Sequence, residues 1–335
     1  MQRALLAAAR GERVTVDDDD VRAAAPAGML GLLARAAVNP HRELQMKAAA
    51  IEAHGAFMLA ELARISAAFD EAHIPLLAFK GPVLSQQLYG HPGLRSFSDL
   101  DVIVAPRDAD AGEALLHRLG YRESMPVSDA ERRTSRRFAG EALFTNDGNG
   151  VLVDFHTLFS NQQFPIRLSF DDVWNRRALV AGIPTFGDID LVLLTCSHAA
   201  KHLWHKLEYV AQIAALARMP IDWAAVQQRA KEARVARQVA FSFQLAREIL
   251  GIEVPFDVPR DERINALAGK GHDATGRDLF LLFDRKRDVL RSFALSIFVP
   301  THDDYRSPLP WLYRPWRLIT RSRPRVAPGS PDARA

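Results

Sequence analysis

The sequence contains almost no cysteine and no long apolar run. Its one cysteine among 335 residues, Cys196, has no partner for a disulfide within the chain, so no oxidising compartment is required. No segment is apolar over the roughly 20 residues that a membrane-spanning helix needs, and the first residues lack the apolar core of a signal peptide. These absences argue against a disulfide-stabilised or membrane-spanning protein and predict a cytoplasmic location.

The chain also carries little net charge, formally +3, but that charge is unevenly distributed. Residues 285–334 hold 11 Lys and Arg against 4 Asp and Glu, so the basic excess belongs to the C-terminal tail. Hydrophobic residues make up 48% and charged residues 25%, which is the balance of a globular protein rather than a disordered or collagen-like one. At this length we expect two or three packed units.

Hydrophobic periodicity predicts an α/β (α+β) core followed by a helical half. The turn-forming residues at 146–150 predict that strands 141–145 and 151–158 pair antiparallel. Two further strands are predicted at 74–79 and 99–105, and helices at 43–73, 82–89, 107–119, 188–219, 222–250 and 261–283. The predicted units are an N-terminal helical segment (1–42), an α/β core (43–165), a helical domain (166–299) and a basic, aromatic-rich tail (300–335).

Two carboxylates alternate in the predicted strand that begins at Asp99. In a strand, alternate side chains share a face, so Asp99 and Asp101 lie on one side with Cα atoms roughly 6.5 to 7 Å apart. Burying this pair beside the apolar run 102–104 is costly unless a cation lies between the two carboxylates. Mg²⁺ is the natural candidate because it prefers carboxylates, waters and phosphate oxygens.

A third carboxylate, Asp154, interrupts another apolar strand. If this strand lies beside the one that carries Asp99 and Asp101, the three acids converge. Such a triad can hold two metal ions, as in displacement reactions at phosphorus. We therefore predict Asp99, Asp101 and Asp154 as catalytic and metal-binding residues for one or two Mg²⁺ ions, with Mn²⁺ as an alternative.

Lys80 and Gly81 stand between a predicted strand and a predicted helix. A glycine there lets backbone N–H groups approach a phosphate, and the start of the helix adds a favourable partial charge. Lys80, and Arg95 just before the acid pair, are predicted to neutralise a bound triphosphate. Taken alone, each motif is also compatible with a solvated strand end, a turn or an ordinary ion pair, so the prediction depends on their order along the chain.

This combination of residues resembles the DNA polymerase β-like nucleotidyltransferase superfamily, and within it a bacterial group described as uncharacterised nucleotidyltransferases. The matching residues are Lys80-Gly81, Tyr89, Arg95, Asp99-Leu100-Asp101, Gly120-Tyr121, Asp154-Phe155-His156 and the segment that begins at His198. The resemblance covers roughly residues 43–250, and it implies a polymerase β-like core with a mixed sheet and a helical C-terminal domain.

The resemblance implies a reaction as well as a fold. An acceptor hydroxyl would attack the α-phosphorus of a nucleoside triphosphate, with ATP as the expected donor, and release pyrophosphate. Asp99 and Asp101 would ligate the metals that hold the triphosphate, and Asp154 would bind the catalytic metal and help to deprotonate the acceptor. The acceptor itself does not carry over. Two alternatives stay open: an inactive binding or regulatory module, for example in a toxin–antitoxin or polysaccharide-related system, and a metal-dependent phosphotransferase.

His198, His202 and His205 are spaced to share one stripe of a single predicted helix. Histidines at this spacing can bind zinc, but Lys201 within the cluster repels a cation and no glutamate completes a zinc-protease motif. A polar stripe facing the core or a cleft is the other interpretation. With the resemblance, Lys201 and His202 are predicted to contact the nucleotide or the acceptor.

The tail from residue 311 to 325 interleaves aromatic residues with arginine. It is compatible with contact to an anionic membrane surface, with nucleic-acid binding, or with an ordinary solvated tail. Its prolines argue against a long amphipathic helix.

Overall fold

The computed structural model describes residues 3–39, 41–124, 128–270 and 278–321. The helices are α1 (Arg3–Arg10), α2 (Asp18–Ala24), α3 (Leu30–Ala36), α4 (Arg42–Glu71), α5 (Gly81–Tyr89), α6 (Ala109–Arg118), α7 (Asp129–Phe138), α8 (Phe170–Asn175), α9 (Asp188–Lys201), α10 (Leu207–Ala217), α11 (Trp223–Ala233), α12 (Ala236–Leu250), α13 (Glu262–Lys270), α14 (Lys286–Phe298) and α15 (Pro310–Arg321). The strands are β1 (Leu76–Phe79), β2 (Asp99–Val104), β3 (Tyr121–Glu123), β4 (Glu141–Asn146), β5 (Leu152–His156), β6 (Ala178–Val180) and β7 (Ile183–Thr185).

The strands form one mixed sheet in the order β3-β4-β5-β2-β1-β7-β6. β2 runs parallel to β5, and β1 runs parallel to β7, while the other neighbours are antiparallel. The mixed sheet and the helical C-terminal region confirm the predicted fold class, and β4 and β5 pair antiparallel as predicted. The predicted division into four units stays a prediction.

The sheet separates two hydrophobic clusters, and strand alternation decides which side chain enters which one. In β2, Leu100, Val102 and Val104 pack in the cluster that contains Met58 and Phe69 of α4. The odd-numbered Ile103 belongs to the other cluster, which contains buried side chains of α1, α9, α10 and α12. The carboxylates of β2, which are also odd-numbered, therefore face the helical half of the molecule.

Two helices predicted as continuous are each broken in the structure. The predicted helix 188–219 divides into α9 and α10, because Leu203 (φ 51°) and Trp204 (φ 47°) adopt left-handed backbone conformations. The Trp204 indole is buried and donates to Ser242 Oγ at 3.1 Å, which anchors the turn between the two helices. Arg234 (φ 61°) similarly separates α11 from α12. The periodicity missed both breaks because no glycine or proline marks them.

Other predicted elements differ at their ends. The predicted helix 261–283 is represented by α13 and a short 3₁₀ helix (Asp278–Leu282), with residues 271–277 outside the described part of the chain. The tail forms the twelve-residue α15, which begins at Pro310 and contains Pro315, whereas its prolines argued against a long amphipathic helix. Residues 322–335 lie outside the described residues.

Glu61 on α4 anchors that helix to β3, which is an edge strand of the sheet. The Tyr121 hydroxyl of β3 donates to Glu61 Oε1 at 2.5 Å, and Arg64 donates to both carboxylate oxygens, at 2.6 and 2.9 Å. The Arg64 hydrogen bonds, reinforced by that of Tyr121, outweigh burial and lower the pKa of Glu61 to about 2. The Gly120-Tyr121 motif thus has a structural partner.

Replacing Glu61 with glutamine is expected to destabilise the protein at neutral pH by about 1–3 kcal/mol, because buried hydrogen-bond partners lose a charged acceptor. Since folding lowers this pKa from 4.5 to about 2, the contribution is present above pH 4.5 and is lost as the pH falls through about 2. Urea unfolding across this range measures the difference between wild type and variant.

Glu52→Gln is the matched control, since Glu52 lies exposed on the same helix. Its stability curve should follow that of the wild type at every pH. A Glu61→Gln variant that does the same would contradict the assigned role of the carboxylate.

Candidate active site

The register of β1, β2 and β5 brings the predicted acidic residues together. Asp101 lies opposite Phe79 of β1 on one side and opposite Asp154 of β5 on the other. His156, two residues beyond Asp154, shares its face of the sheet. Ligand atoms of Asp101, Asp154 and His156 all lie within 4.8 Å of one another.

Two cations of the protein itself neutralise the buried Asp101. Lys80 Nζ lies 2.6 Å from Asp101 Oδ1, and His156 Nε2 lies 3.3 Å from the same oxygen. Burial alone would raise the pKa of Asp101, but the charges of Lys80 and His156 outweigh it and lower the pKa to about 2. We expected a metal ion to offset this buried charge, and the structure shows that a lysine and a histidine already do so.

His156 is the residue of the cluster that we did not predict as part of the site. Its Nε2 lies 3.0 Å from Asp154 Oδ2 and is buried without a well-formed hydrogen bond. Burial disfavours the imidazolium, yet contacts with Asp101 and Asp154 raise the pKa of His156 to about 9. The alternation of strand residues was the available signal, since His156 follows Asp154 by two positions.

Asp99 lies on the same face of β2 but outside the close group of Asp101, Asp154 and His156. Burial is the main cause that raises its pKa, and the negative charges of Asp101 and Asp154 add to it. Its predicted role as a metal ligand stays a prediction.

The connection between β1 and α5 has an unusual backbone. Lys80 adopts φ 54° and ψ −148°, a conformation that residues with a side chain rarely occupy, and Gly81 follows with φ 43°. No side chain caps α5, so the backbone N–H groups at its start have no side-chain acceptor. The strained turn also places the Lys80 ammonium beside Asp101.

A cavity of about 210 Å³ lies between this face of the sheet and the end of α9. Lys80, Asp154 and His156 line one wall, and Lys201 and His202 line the other. Five polar residues that are far apart in the sequence therefore line one cavity. Lys80, Asp154, Lys201 and His202 are predicted site residues, and His156 is not.

The three histidines do not form one helical stripe. His198 lies in α9, whereas His205 lies beyond the end of that helix. Burial and the nearby Lys201 lower the pKa of His202 to about 4, and its ring stacks on Tyr209 with 5.8 Å between centroids. Burial also lowers the pKa of His198. Both rings are therefore neutral at neutral pH.

Arg95 lies in a buried ion pair rather than on the cavity wall. Its Nε lies 2.8 Å from Glu208 Oε1 of α10, and it is not among the residues that line the cavity. Gln212 donates to the same carboxylate oxygen at 3.1 Å. No pattern in the sequence indicates Glu208 as the partner of Arg95, because the pairing depends on how α10 packs.

The donor set of the cluster fits a divalent cation. Two carboxylates and one imidazole converge, and the buried His156 Nε2 is available as a ligand when deprotonated. Asp101 Oδ1 is shared, since Lys80 already contacts it. A cation at this oxygen would compete with the Lys80 ammonium.

Among solved structures, the chain resembles the antibiotic-resistance factor ANT(2'')-Ia at 15% identity and a TM-score of 0.30, over 66% of this chain and all of that one. No curated protein matches the sequence significantly. A family model described as uncharacterised nucleotidyltransferase matches residues 23–251, more than half of the chain. The chain therefore belongs to this nucleotidyltransferase family, as the resemblance predicted.

Proposed function

We propose that the protein transfers a nucleoside monophosphate from a nucleoside triphosphate, with ATP as the expected donor, to a hydroxyl group of an acceptor. One observation carries this proposal. In a chain of the nucleotidyltransferase family, Asp154 and His156 face Lys201 across one cavity that Lys80 also lines. Acidic groups for a cation and basic groups for phosphate are thus adjacent.

The acids Asp99, Asp101 and Asp154 are the proposed metal ligands, and His156 adds an imidazole nitrogen. Mg²⁺ suits the carboxylate oxygens, whereas the imidazole favours Mn²⁺ more than Mg²⁺. When bound, such an ion neutralises phosphate charge and makes the acceptor hydroxyl more acidic.

Lys80, Gly81 and Lys201 are the proposed contacts of the triphosphate. Lys80 approaches from the start of α5, where backbone N–H groups around Gly81 add donors. Lys201 approaches from the opposite wall, and the neutral His202 beside it is proposed to contact the nucleotide or the acceptor. Arg95 is proposed to act through its charge, because Glu208 already binds its guanidinium.

The proposed reaction forms one bond at phosphorus and breaks one. The acceptor oxygen bonds to the α-phosphorus, the bond from that phosphorus to the β-phosphate oxygen breaks, and pyrophosphate leaves. The proton of the acceptor hydroxyl passes to the Asp154 carboxylate, which lines the cavity and is partly exposed to it.

Paired labelling of the triphosphate tests this proposal. The protein is incubated with Mg²⁺, a pool of hydroxyl-bearing small molecules, and ATP labelled at either the α- or the γ-phosphorus. We expect a product that carries the α label alone, with one pyrophosphate released per transfer and no product in the presence of EDTA.

Two other outcomes would contradict the proposal. Transfer of the γ label would show a phosphotransferase. Binding of ATP without transfer of either label would show a binding or regulatory module. The remaining nucleoside triphosphates, labelled in the same way, identify the preferred base.

A further inference from the structure

The C-terminal helices expose large apolar side chains to solvent. Leu309, immediately before α15, and Leu312 and Trp316 within it are 61%, 69% and 57% exposed, and their spacing places them on one side. We call these three residues the apolar C-terminal face. Other exposed apolar side chains in this region are Trp311 and Leu318 of α15 and Leu290, Phe293 and Phe298 of α14.

The side of α15 that carries Arg314 and Arg317 is turned inward. Arg317 is buried, with its Nε 2.6 Å from Oδ1 of the fully buried Asp304. Its Nη2 donates to Thr301 Oγ1 at 2.9 Å, and Arg314 donates to the Ser296 carbonyl at 3.1 Å. A surface helix usually buries its apolar side and exposes its charges. Here the arginines hold the helix so that its apolar side points outward.

The two longest stretches outside the described residues carry few large apolar side chains. Residues 271–277 read GHDATGR and residues 322–335 read SRPRVAPGSPDARA, so their one large aliphatic side chain is Val326. A contiguous apolar patch exposed on the described part of the chain marks a contact site for another partner.

The charge of the region indicates which partner. Residues 285–334 hold 11 Lys and Arg against 4 Asp and Glu, and the exposed Arg285, Lys286 and Arg287 stand at the start of α14. A second copy would bring an equally basic region against this one, whereas an anionic lipid surface attracts it. Tryptophan and leucine beside basic residues are typical of helices that lie in the headgroup region of a membrane.

We propose that α14 and α15 dock this protein on an anionic lipid surface, with the apolar C-terminal face inserted among the headgroups. The contact is peripheral, since none of the described helices has the length and apolar character of a membrane span. This proposal is independent of the nucleotidyl-transfer proposal, because it uses none of the residues around the cavity.

The test measures binding of the full chain to vesicles. Cosedimentation is compared between vesicles of phosphatidylcholine alone and vesicles that also contain phosphatidylglycerol. We expect binding to the anionic vesicles that weakens as salt is added. The double substitution Leu312→Ser and Trp316→Ser should weaken it at least about tenfold, because two large apolar side chains are removed.

The matched control carries Met46→Ser and Leu179→Ser, which replace two exposed apolar side chains of α4 and β6. It should bind vesicles like the wild type, and all three proteins should have the same circular dichroism spectrum. Equal loss of binding in the control, or undiminished binding by the Leu312/Trp316 variant, would overturn the proposal.

Two further results would also overturn it. Equal binding to neutral and anionic vesicles would remove the role of the basic residues. Absence of vesicle binding together with a dimer that the Leu312/Trp316 variant dissociates would assign the face to contact between two copies. Neither measurement depends on nucleotidyl transfer, so the two proposals fail separately.

Discussion

Replacing Asp154 or Asp101 with asparagine is expected to reduce transfer of the α label by at least about 10²-fold. Asp154→Asn removes the proposed proton acceptor from the cavity wall. Asp101→Asn removes the carboxylate that contacts both Lys80 and His156. An amide keeps the size of each side chain but neither accepts the proton nor balances the cations. Release of pyrophosphate, measured with saturating ATP and Mg²⁺, gives the size of the loss.

The matched control is Asp147→Asn. Asp147 lies in the turn of the same β-hairpin as Asp154, where it forms an exposed ion pair with Arg122 at 2.6 Å. Its substitution should leave the rate of transfer unchanged. An Asp154→Asn protein that is as active as Asp147→Asn would show that Asp154 has no chemical role.

The two acids of β2 should differ in their effects on stability. Asp101→Asn leaves Lys80 and His156 with less negative charge in a buried place, so the free energy of unfolding should fall. Asp99→Asn should instead raise it in the metal-free protein, because burial and the neighbouring acids disfavour the charge of Asp99. Asp101 differs from Asp99 because Lys80 and His156 offset the repulsion between its charge and the neighbouring carboxylates. The sequence did not reveal these two contacts. Urea unfolding of the metal-free variants separates the two cases.

Removal of the Lys80 ammonium is expected to have the second large effect. Lys80→Met should lower kcat/KM for ATP by about 10²-fold, because a cation beside the developing phosphate charge is lost. The same substitution leaves Asp101 without its 2.6 Å partner, so the protein should also be less stable. Steady-state kinetics and urea unfolding measure the two effects.

Comparison with Lys80→Gly separates the charge of Lys80 from its backbone strain. Both variants lose the ammonium and should be equally impaired in transfer. Glycine adopts φ 54° without a steric penalty, so Lys80→Gly should be more stable than Lys80→Met by about 1 kcal/mol. Equal stability of the two would show that the turn stores no strain.

Lys47→Met serves as the control for general loss of a lysine. Lys47 lies on α4, where it forms an ion pair with Glu43 at 2.6 Å. Its removal should change neither transfer nor stability by a measurable amount. Full activity in Lys80→Met would contradict the proposed role of Lys80 with the triphosphate.

Part of the site was accessible from the sequence because strand alternation is a local property. Alternation places Asp99 and Asp101 on one face of β2, and the turn residues at 146–150 pair the strand of Asp154 with the strand before it. Lys80-Gly81 was also recognisable as the turn between a strand and a helix, and both residues adopt positive φ angles there. These predictions needed only neighbouring residues.

The remaining features depend on contacts between distant segments. The end of α9 depends on the burial of Trp204 against Ser242 of α12, and periodicity contains no trace of that contact. Arg95 has no sequence feature that selects Glu208 as its partner. The prolines of the tail argued against a long amphipathic helix, and nothing in the sequence indicated that α15 turns Arg314 and Arg317 inward.

The amino-acid sequence by itself determined the order of α4, β1, α5, β2, α6, β4 and β5 in the α/β core, although not β3 or α7 between them. It also determined the shared face of the acids on β2 and the family to which the chain belongs. Tertiary structure alone decided that Lys80 and His156 neutralise Asp101, that Lys201 faces them across the cavity, and that α15 turns its arginines inward. The reason is physical: alternation and propensity act between residues close in the chain, whereas charge pairing and burial depend on distance in space.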